Sequence, residues 1–174
     1  QNILVIGPGK STIKYKKKII RFIKNIKPIV FVLNAINPIP SKYIYANVVC
    51  HTLRLLSDID KYKRSNKHLI TPFSSFSKNI KSKINSNNIL DFGLQVKNKK
   101  FKFEKNYVVL PNSLAISYAL GVSTSGEAKN IYLAGLDGYN DSSPKKFEID
   151  DLFQNYKLEK NSRRIFSLTQ TNYK

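Results

Sequence analysis

The fold class follows from residues 2–33, NILVIGPGKSTIKYKKKIIRFIKNIKPIVFVL. The apolar runs at 2–6 and 29–33 predict two short buried strands. Between them, isoleucines recur at helical spacing with lysines on the other side, which predicts an amphipathic helix that starts at Ser11 and ends before Pro28. A strand, a helix and a strand within about thirty residues form a βαβ unit, whose strands are parallel and whose crossover is right-handed.

The same alternation continues to the end of the chain. The pattern predicts further strands at 43–49, 68–70, 130–134 and 165–169, and helices at 52–62, 113–125 and 148–158. An edge hairpin is predicted over 92–103, and a mobile connection or a short helix over 74–88. Together these elements predict an α/β fold, a Rossmann-like three-layer sandwich with a mostly parallel sheet, as a single domain over 1–174.

The composition limits where such a domain functions. No apolar run approaches the roughly 18 residues that span a bilayer. The single cysteine, Cys50, cannot form an intramolecular disulfide, which favours a reducing, cytoplasmic compartment. The chain starts at Gln1 and contains no methionine, so we expect it to be a fragment of a longer protein whose catalytic part lies outside it.

The formal net charge of +19 has two interpretations. A dense cationic surface is typical of nucleic-acid-binding or anionic-membrane-binding scaffolds. Alternatively, the abundance of Lys, Asn and Ile throughout the chain reflects an AT-rich genome. The second interpretation is favoured because arginine, which phosphate-binding and base-reading sites prefer, occurs at only five positions: 21, 54, 64, 163 and 164.

The turn Gly7-Pro8-Gly9-Lys10-Ser11 is the first candidate site. It combines backbone N–H groups with a helix N-terminus, an arrangement that attracts phosphate, and Lys10 adds a full charge. It is not a complete P-loop, because Leu4 stands five residues before Gly9, and Thr12 replaces the third glycine of a dinucleotide fingerprint. A tight strand-to-helix turn without a ligand is the alternative.

Further candidates lie at strand ends and at a helix start, and we predict that one of them, Asp137, lies within about 15 Å of Gly9 at the carboxyl edge of the sheet. Asp137 follows a strand between two glycines, where it could accept hydrogen bonds from a sugar hydroxyl, act as a base, or bond its own backbone. Asn34 could contact a base or hydroxyl, or cap a loop. Asn112 and Ser113 could bind a second anion, or simply cap the helix that they begin.

Neither histidine suggests a metal site or a catalytic base. His51 and His68 have no carboxylate or metal-ligand spacing nearby, so we predict no metal site. Cys50 and His51 are neighbours in a predicted extended segment, where adjacent side chains point to opposite faces and would not meet.

Two segments resemble known families: IGPGKS at 6–11, and the segment from Ser113 that ends in NIYLAGLDGY at 130–139. They are similar to the bacterial sialyltransferase-like superfamily, which includes motility-accessory and pterin-diphosphokinase-like proteins. They resemble more closely the C-terminal domain appended to aldolase-like proteins, with a barrel of the HMG-CoA-lyase type, in surface-polysaccharide gene clusters.

The resemblance implies roles for the candidate residues. Gly7, Pro8, Gly9, Ser11 and Asn34 would contact a nucleotide, and Asn112, Ser113 and Asp137 would line the donor site. Sialyltransferases of this type use a histidine after the Gly-x-Asp-x-Tyr segment, and no histidine follows Tyr139 here. The resemblance therefore implies an accessory domain that binds a nucleotide, nucleotide sugar or sugar phosphate and holds no cofactor of its own. The metal and the lyase chemistry would belong to an upstream barrel.

Overall fold

The computed structural model describes residues 1–84 and 88–173. The chain is α/β, with helices on both faces of a central parallel sheet. The strands of the described residues are β1 (Ile3–Ile6), β2 (Ile29–Leu33), β3 (Ala46–Val48), β4 (His68–Thr71), β5 (Ile89–Asp91), β6 (Gly93–Val96), β7 (Lys102–Phe103), β8 (Tyr107–Leu110), β9 (Ile131–Ala134) and β10 (Ile165–Ser167). Seven of them form the central sheet in the order β10-β9-β1-β2-β3-β4-β5. The predicted Rossmann-like three-layer sandwich is confirmed.

The helices follow in the same chain order: α1 (Lys10–Lys14), α2 (Lys16–Ile26), α3 (Thr52–Ser57), α4 (Ile59–Arg64), α5 (Lys78–Lys81), α6 (Ala115–Ser125) and α7 (Pro144–Leu158). One face of the sheet carries Leu4 and Ile6, against which Ile19 and Ile23 of α2 pack. The other face carries Ile3 and Val5, in the same core cluster as residues of α6 and α7. Successive side chains of β1 therefore point alternately into the two hydrophobic cores, as expected for a strand that is buried on both faces.

The strand order reverses between β1 and β9. From β1 the sheet grows through β2 to β5, and the chain then returns to place β9 on the other side of β1. Ile3 pairs with Ile131 and Ile6 with Ala134, both in a parallel register. The carboxyl ends of β1 and β9 thus meet at the point where doubly wound folds bind their ligands.

The segment 92–103 does not form the predicted hairpin. β6 and β7 both pair with β8, in parallel and antiparallel register respectively, and form a second sheet in the order β6-β8-β7. The run YVVL that becomes β8 was not predicted, and neither was β5, the last strand of the central sheet. Short apolar runs do not specify their partners, because pairing depends on distant parts of the chain.

The predicted helices exist but differ in extent. The helix predicted at 52–62 is divided at Asp58, and the first helix is interrupted at Tyr15, where φ is −104° and ψ is 17°. Ile13, the first isoleucine of the predicted apolar side, is 69% exposed, because the helix breaks at Tyr15 and α1 buries Ser11 and Thr12 instead. Helix α7 begins at Pro144, a residue type that favours the first turn, four positions before its predicted start.

The remaining segments agree in part with their predictions. The strand predicted at 43–49 is limited to β3, because Ser41–Tyr43 form a 3₁₀ turn. The connection predicted over 74–88 contains the end of a 3₁₀ turn at Phe73–Ser75 and the short helix α5, while residues 85–87 lie outside the described residues. In the part of the chain that the structure describes, no helix is long and apolar enough to cross a membrane.

Candidate functional site

The turns after β1 and β9 lie directly against each other. The amide of Gly7 donates to the carbonyl of Ala134, and the amide of Gly9 donates to that of Gly135, each at 2.8 Å. The parallel register of β1 and β9 brings the two turns to one edge of the sheet. The predicted proximity of Gly9 and Asp137 is therefore confirmed.

Glycine is required for this contact between the turns. A Cβ on Gly9 would lie 2.5 Å from the carbonyl oxygen of Gly135 and 2.6 Å from a carboxylate oxygen of Asp137. Gly135 has a φ of +70°, and a Cβ there would overlap the hydroxyl of Thr12. The glycines thus have a packing role that is independent of any ligand.

The Asp137 carboxylate occupies the N-terminus of α1. One of its oxygens accepts a hydrogen bond from the Ser11 amide at 2.9 Å, and the other accepts one from the Ser11 hydroxyl. This carboxylate stands where the sequence predicted a ligand phosphate, because a helix N-terminus favours any anion. The amide of Thr12 donates to the carbonyl of Gly9. A ligand phosphate at this edge would therefore depend on side chains rather than on these amides.

A cleft of about 290 Å³ opens beside this junction. Its lining residues come from the start of the first helix, from the turn after β9 and from the segment after β10: Lys10, Ser11, Lys14, Tyr15, Asp137, Gln170 and Asn172. The last segment is held in place by two hydrogen bonds. The Asn172 amide donates to the carbonyl of Asp137 at 2.9 Å, and the Gly135 amide donates to the Thr169 hydroxyl at 3.0 Å.

Four lining residues were not predicted from the sequence. Lys14 and Tyr15 lie one helical turn after Lys10 and Ser11, and that spacing was the available signal. Gln170 and Asn172 follow the last strand, so they belong to the same carboxyl edge as the two turns. Their arrival at the cleft depends on how the chain folds back over Gly135, which no local pattern indicates.

The two sides of the cleft differ in chemistry. Lys10 and Lys14 supply positive charge on the side of the first helix, and the Lys14 ammonium lies 5.3 Å from the centroid of the Tyr15 ring. Asp137, Gln170 and Asn172 supply carboxylate and amide groups on the other side. Phosphate binds ammonium groups, and sugar hydroxyls bind carboxylates and amides. The cleft can thus accommodate a ligand with an anionic end and a hydroxyl-rich end.

The phenol of Tyr173 stands beside Asn172 in the same segment. Burial, reinforced by the negative charge of neighbouring groups that include Asp137, raises the pKa of Tyr173 to about 12. Its hydroxyl therefore stays protonated at physiological pH and adds no charge near the cleft.

The other predicted site residues do not line this cleft. Asn34 follows β2 with a φ of 62°, and its carbonyl accepts a hydrogen bond from the Asn47 amide group at 2.7 Å. The Asn112 side chain accepts from the amide of Leu114 and from the Ser117 hydroxyl, in the turn that leads into α6, whose N-cap residue is Leu114. The carbonyl of Ser113 accepts from the Cys50 thiol at 3.1 Å. Asn34 and Ser113 are thus bonded through their backbone carbonyls and Asn112 through its side chain, and the predicted ligand-binding roles of the three residues stay predictions.

The described residues offer neither an activated thiol nor a metal cluster. Cys50 is buried, and burial raises the pKa of its thiol to about 12, whereas His51 is exposed. A thiol with so high a pKa is a poor nucleophile. Within residues 1–84 and 88–173, no group of three His, Cys, Asp or Glu side chains is placed to hold a metal ion.

Comparisons of the chain with models of protein families, with curated proteins and with solved structures found no match.

Proposed function

We propose that this chain binds a nucleotide, a nucleotide sugar or a sugar phosphate in the cleft between the first helix and the turn after β9. The observation that carries the proposal is the position and chemistry of the cleft. It lies at the reversal of strand order, with Lys10 and Lys14 on one side and Asp137, Gln170 and Asn172 on the other.

The expected orientation of the ligand follows from the charges. The phosphate lies toward Lys10 and Lys14, because the carboxylate of Asp137 repels an anion. The sugar or ribose lies toward Asp137, which accepts two hydrogen bonds from Ser11 and keeps free lone pairs for a ligand hydroxyl.

Calorimetric titration with CMP, UDP, CDP-sugars, UDP-sugars and sugar phosphates tests the proposal. We expect at least one of these ligands to bind at millimolar concentration or below. The variants Lys10→Gln and Lys14→Gln should each weaken that binding about tenfold, because a charge-assisted hydrogen bond to phosphate is lost. The absence of heat with every ligand would contradict the proposal.

A matched control is Lys24→Gln. Lys24 lies in the last turn of α2, away from the cleft, and its substitution removes the same unit of charge. If Lys24→Gln weakens binding as much as Lys10→Gln, the ligand responds only to the overall charge of +19, and the cleft is not its site.

The broader role that we propose is that of an accessory domain in an aldolase-type protein of bacterial surface-polysaccharide biosynthesis, with the lyase chemistry in an upstream barrel. It rests on the resemblance of the two turn segments. In this role the chain binds a ligand without turning it over.

A sialyltransferase-like glycosyltransferase is the second candidate, and the observation that favours it is the carboxylate of Asp137 in the cleft. The same preparation distinguishes the two functions. Transfer or hydrolysis of a nucleotide sugar by this chain, abolished in Asp137→Asn but not in Lys24→Gln, would identify Asp137 as a catalytic base. Ligand binding with no turnover supports the accessory domain.

A further inference from the structure

A second surface lies on the sheet face that α2 partly covers. Tyr132 of β9 and Phe166 of β10 are paired across these strands, and their rings stack with centroids 5.3 Å apart. Phe22 of α2 contacts Tyr132 at 4.8 Å between centroids. In this aromatic surface (Tyr132, Phe166 and Phe22), Phe166 is 44% exposed and the other two rings are half-buried.

The aromatic surface continues to the cleft. Tyr15, which packs against the same core cluster as Phe22 and Tyr132, also lines the cleft. Tyr132 lies two residues, or about 7 Å along the strand, before Ala134, where β9 ends. Phe166 pairs with Tyr132 and therefore lies at the same distance from that edge. A ligand longer than one nucleotide unit is needed to contact both the rings and the cleft.

The segments that carry the rings also carry cations, and they contain no acidic residues. Lys18 lies between Tyr15 and Phe22 on α2, with its ammonium 5.9 Å from the Tyr15 ring centroid. Arg164 is exposed next to β10. The segments 10–27, 128–136 and 162–173 contain no Asp or Glu, and among the described residues 1–84 and 88–173 no salt bridge neutralises their cations.

We propose that this aromatic surface binds single-stranded nucleic acid, with bases stacked on Phe166 and its neighbours and phosphates near Lys18 and Arg164. Exposed rings interleaved with cations are the combination that single-strand-binding surfaces use, because every base has a face that stacks and every linkage has a charge. The surface adjoins the nucleotide cleft but uses other residues, and the proposal does not rest on that function.

Charge argues against a second copy of the chain on this surface, and shape argues against a bilayer. A second copy of a chain with a net charge of +19 would bring like charges together around the rings. A bilayer surface would meet the lysines of α2 before it met Tyr132, because α2 forms a layer above the strands. A flexible polyanion with flat rings fits both features.

Fluorescence anisotropy with a labelled oligothymidylate of about 12 nucleotides tests the proposal. We expect binding that weakens steeply between about 50 and 200 mM salt, as phosphate contacts do. Phe166→Ala should weaken binding about tenfold through the loss of stacking. Lys18→Gln should weaken it less and lower the slope of log K against log salt by about one.

The matched control is Phe147→Ala, which truncates a phenylalanine that is 63% exposed on α7, a helix of the opposite face. It should leave oligothymidylate binding unchanged, and circular dichroism of both variants checks that they fold. An abasic strand of the same length isolates the rings, because Phe166→Ala should not affect its binding.

Three results would overturn the proposal. These are equal affinity for the abasic strand, equal effects of Phe166→Ala and Phe147→Ala, and tighter binding to heparin or to anionic vesicles that is insensitive to Phe166→Ala. Nucleotide titration into Phe166→Ala keeps the two proposals distinguishable, since the cleft residues Lys10 and Lys14 are intact in that variant.

Discussion

The helices on the two faces of the sheet are covered to very different extents. Eight of the eleven residues of α6 are buried, because α6 lies against the central sheet on one side and contacts β8 of the small sheet on another. Helix α2 has the same length, yet it buries only Ile19 and Ile23 and turns its cations to solvent. A helix that is buried on all sides needs apolar and small residues around its whole circumference. A helix that packs on a sheet with one side needs only a single stripe of apolar residues.

This difference distinguishes the residues that stabilise the fold from the residues that are accessible to a ligand. Helix α6 contributes to the largest core cluster, and none of its residues is exposed. The α1–α2 face carries both the cleft and the aromatic surface, and the outer side of α2 is exposed. Substitutions in the α6 face should therefore change stability, and those on the α1–α2 face should change binding.

The largest effect is expected from Leu120→Ala. Leu120 is fully buried in α6, so its truncation leaves a cavity and should lower the free energy of unfolding by about 2–5 kcal/mol. Ile13→Ala on α1 is the comparison, because Ile13 is 69% exposed and its truncation should cost less than about 0.5 kcal/mol. Urea unfolding followed by circular dichroism measures both, and similar losses would contradict the proposed difference between the faces.

A smaller loss is expected from Gly121→Ala. A Cβ at Gly121 would lie 2.6 Å from a methyl carbon of Val108, so the close approach of α6 to β8 leaves no room for it. The expected cost is about 1–3 kcal/mol by overpacking, partly offset by the better helix propensity of alanine. The double variant Gly121→Ala with Val108→Ala should cost less than the sum of the two single variants, and simple additivity would rule out this contact as the cause.

The smallest effect concerns alkaline pH. Burial raises the pKa of Cys50 from 9.0 to about 12, so above pH 9 the folded chain holds a proton that the unfolded chain releases. Cys50 therefore contributes its stability fully below pH 9 and loses it progressively as the pH rises toward about 12. Urea unfolding at pH 8 and pH 10 should show lower stability at the higher pH.

Cys50→Ala isolates the thiol in this experiment. The decline in stability from pH 8 to pH 10 should be shallower in Cys50→Ala than in the parent. The rest of the decline is due to the tyrosines whose pKa values burial also raises: Tyr62, Tyr118, Tyr156 and Tyr173. An identical decline in both proteins would show that Cys50 does not contribute.

The sequence predicted those helices and strands that have a clear hydrophobic periodicity or a clearly marked boundary. β1, β2 and the helix between them follow from residues 2–33, and α6 and β9 follow from the apolar run between Asn112 and Ala134. The small sheet was not predicted, because β6 and β7 find their partner β8 only after the chain has folded back between them. The break at Tyr15 was also missed, since no proline or glycine marks it.

The candidate site shows the same division. The pairing of the turns at Gly9 and Asp137 was predicted, because the βαβ handedness and a parallel β9 place both at the carboxyl edge. The hydrogen bond from the Ser11 amide to the Asp137 carboxylate was not predicted. It changes the expected role of the turn from binding a phosphate to positioning a carboxylate.

The sequence by itself determined the α/β class, the parallel βαβ start and the edge of the sheet at which a ligand would bind. These properties depend on local periodicity and on the fixed handedness of crossovers. Only the tertiary structure decided that Asp137 caps α1, that Gln170 and Asn172 complete the cleft, and that Phe166 stacks on Tyr132. The physical reason is that these contacts join residues far apart in the chain, and their geometry depends on strand order and register, which no local pattern encodes.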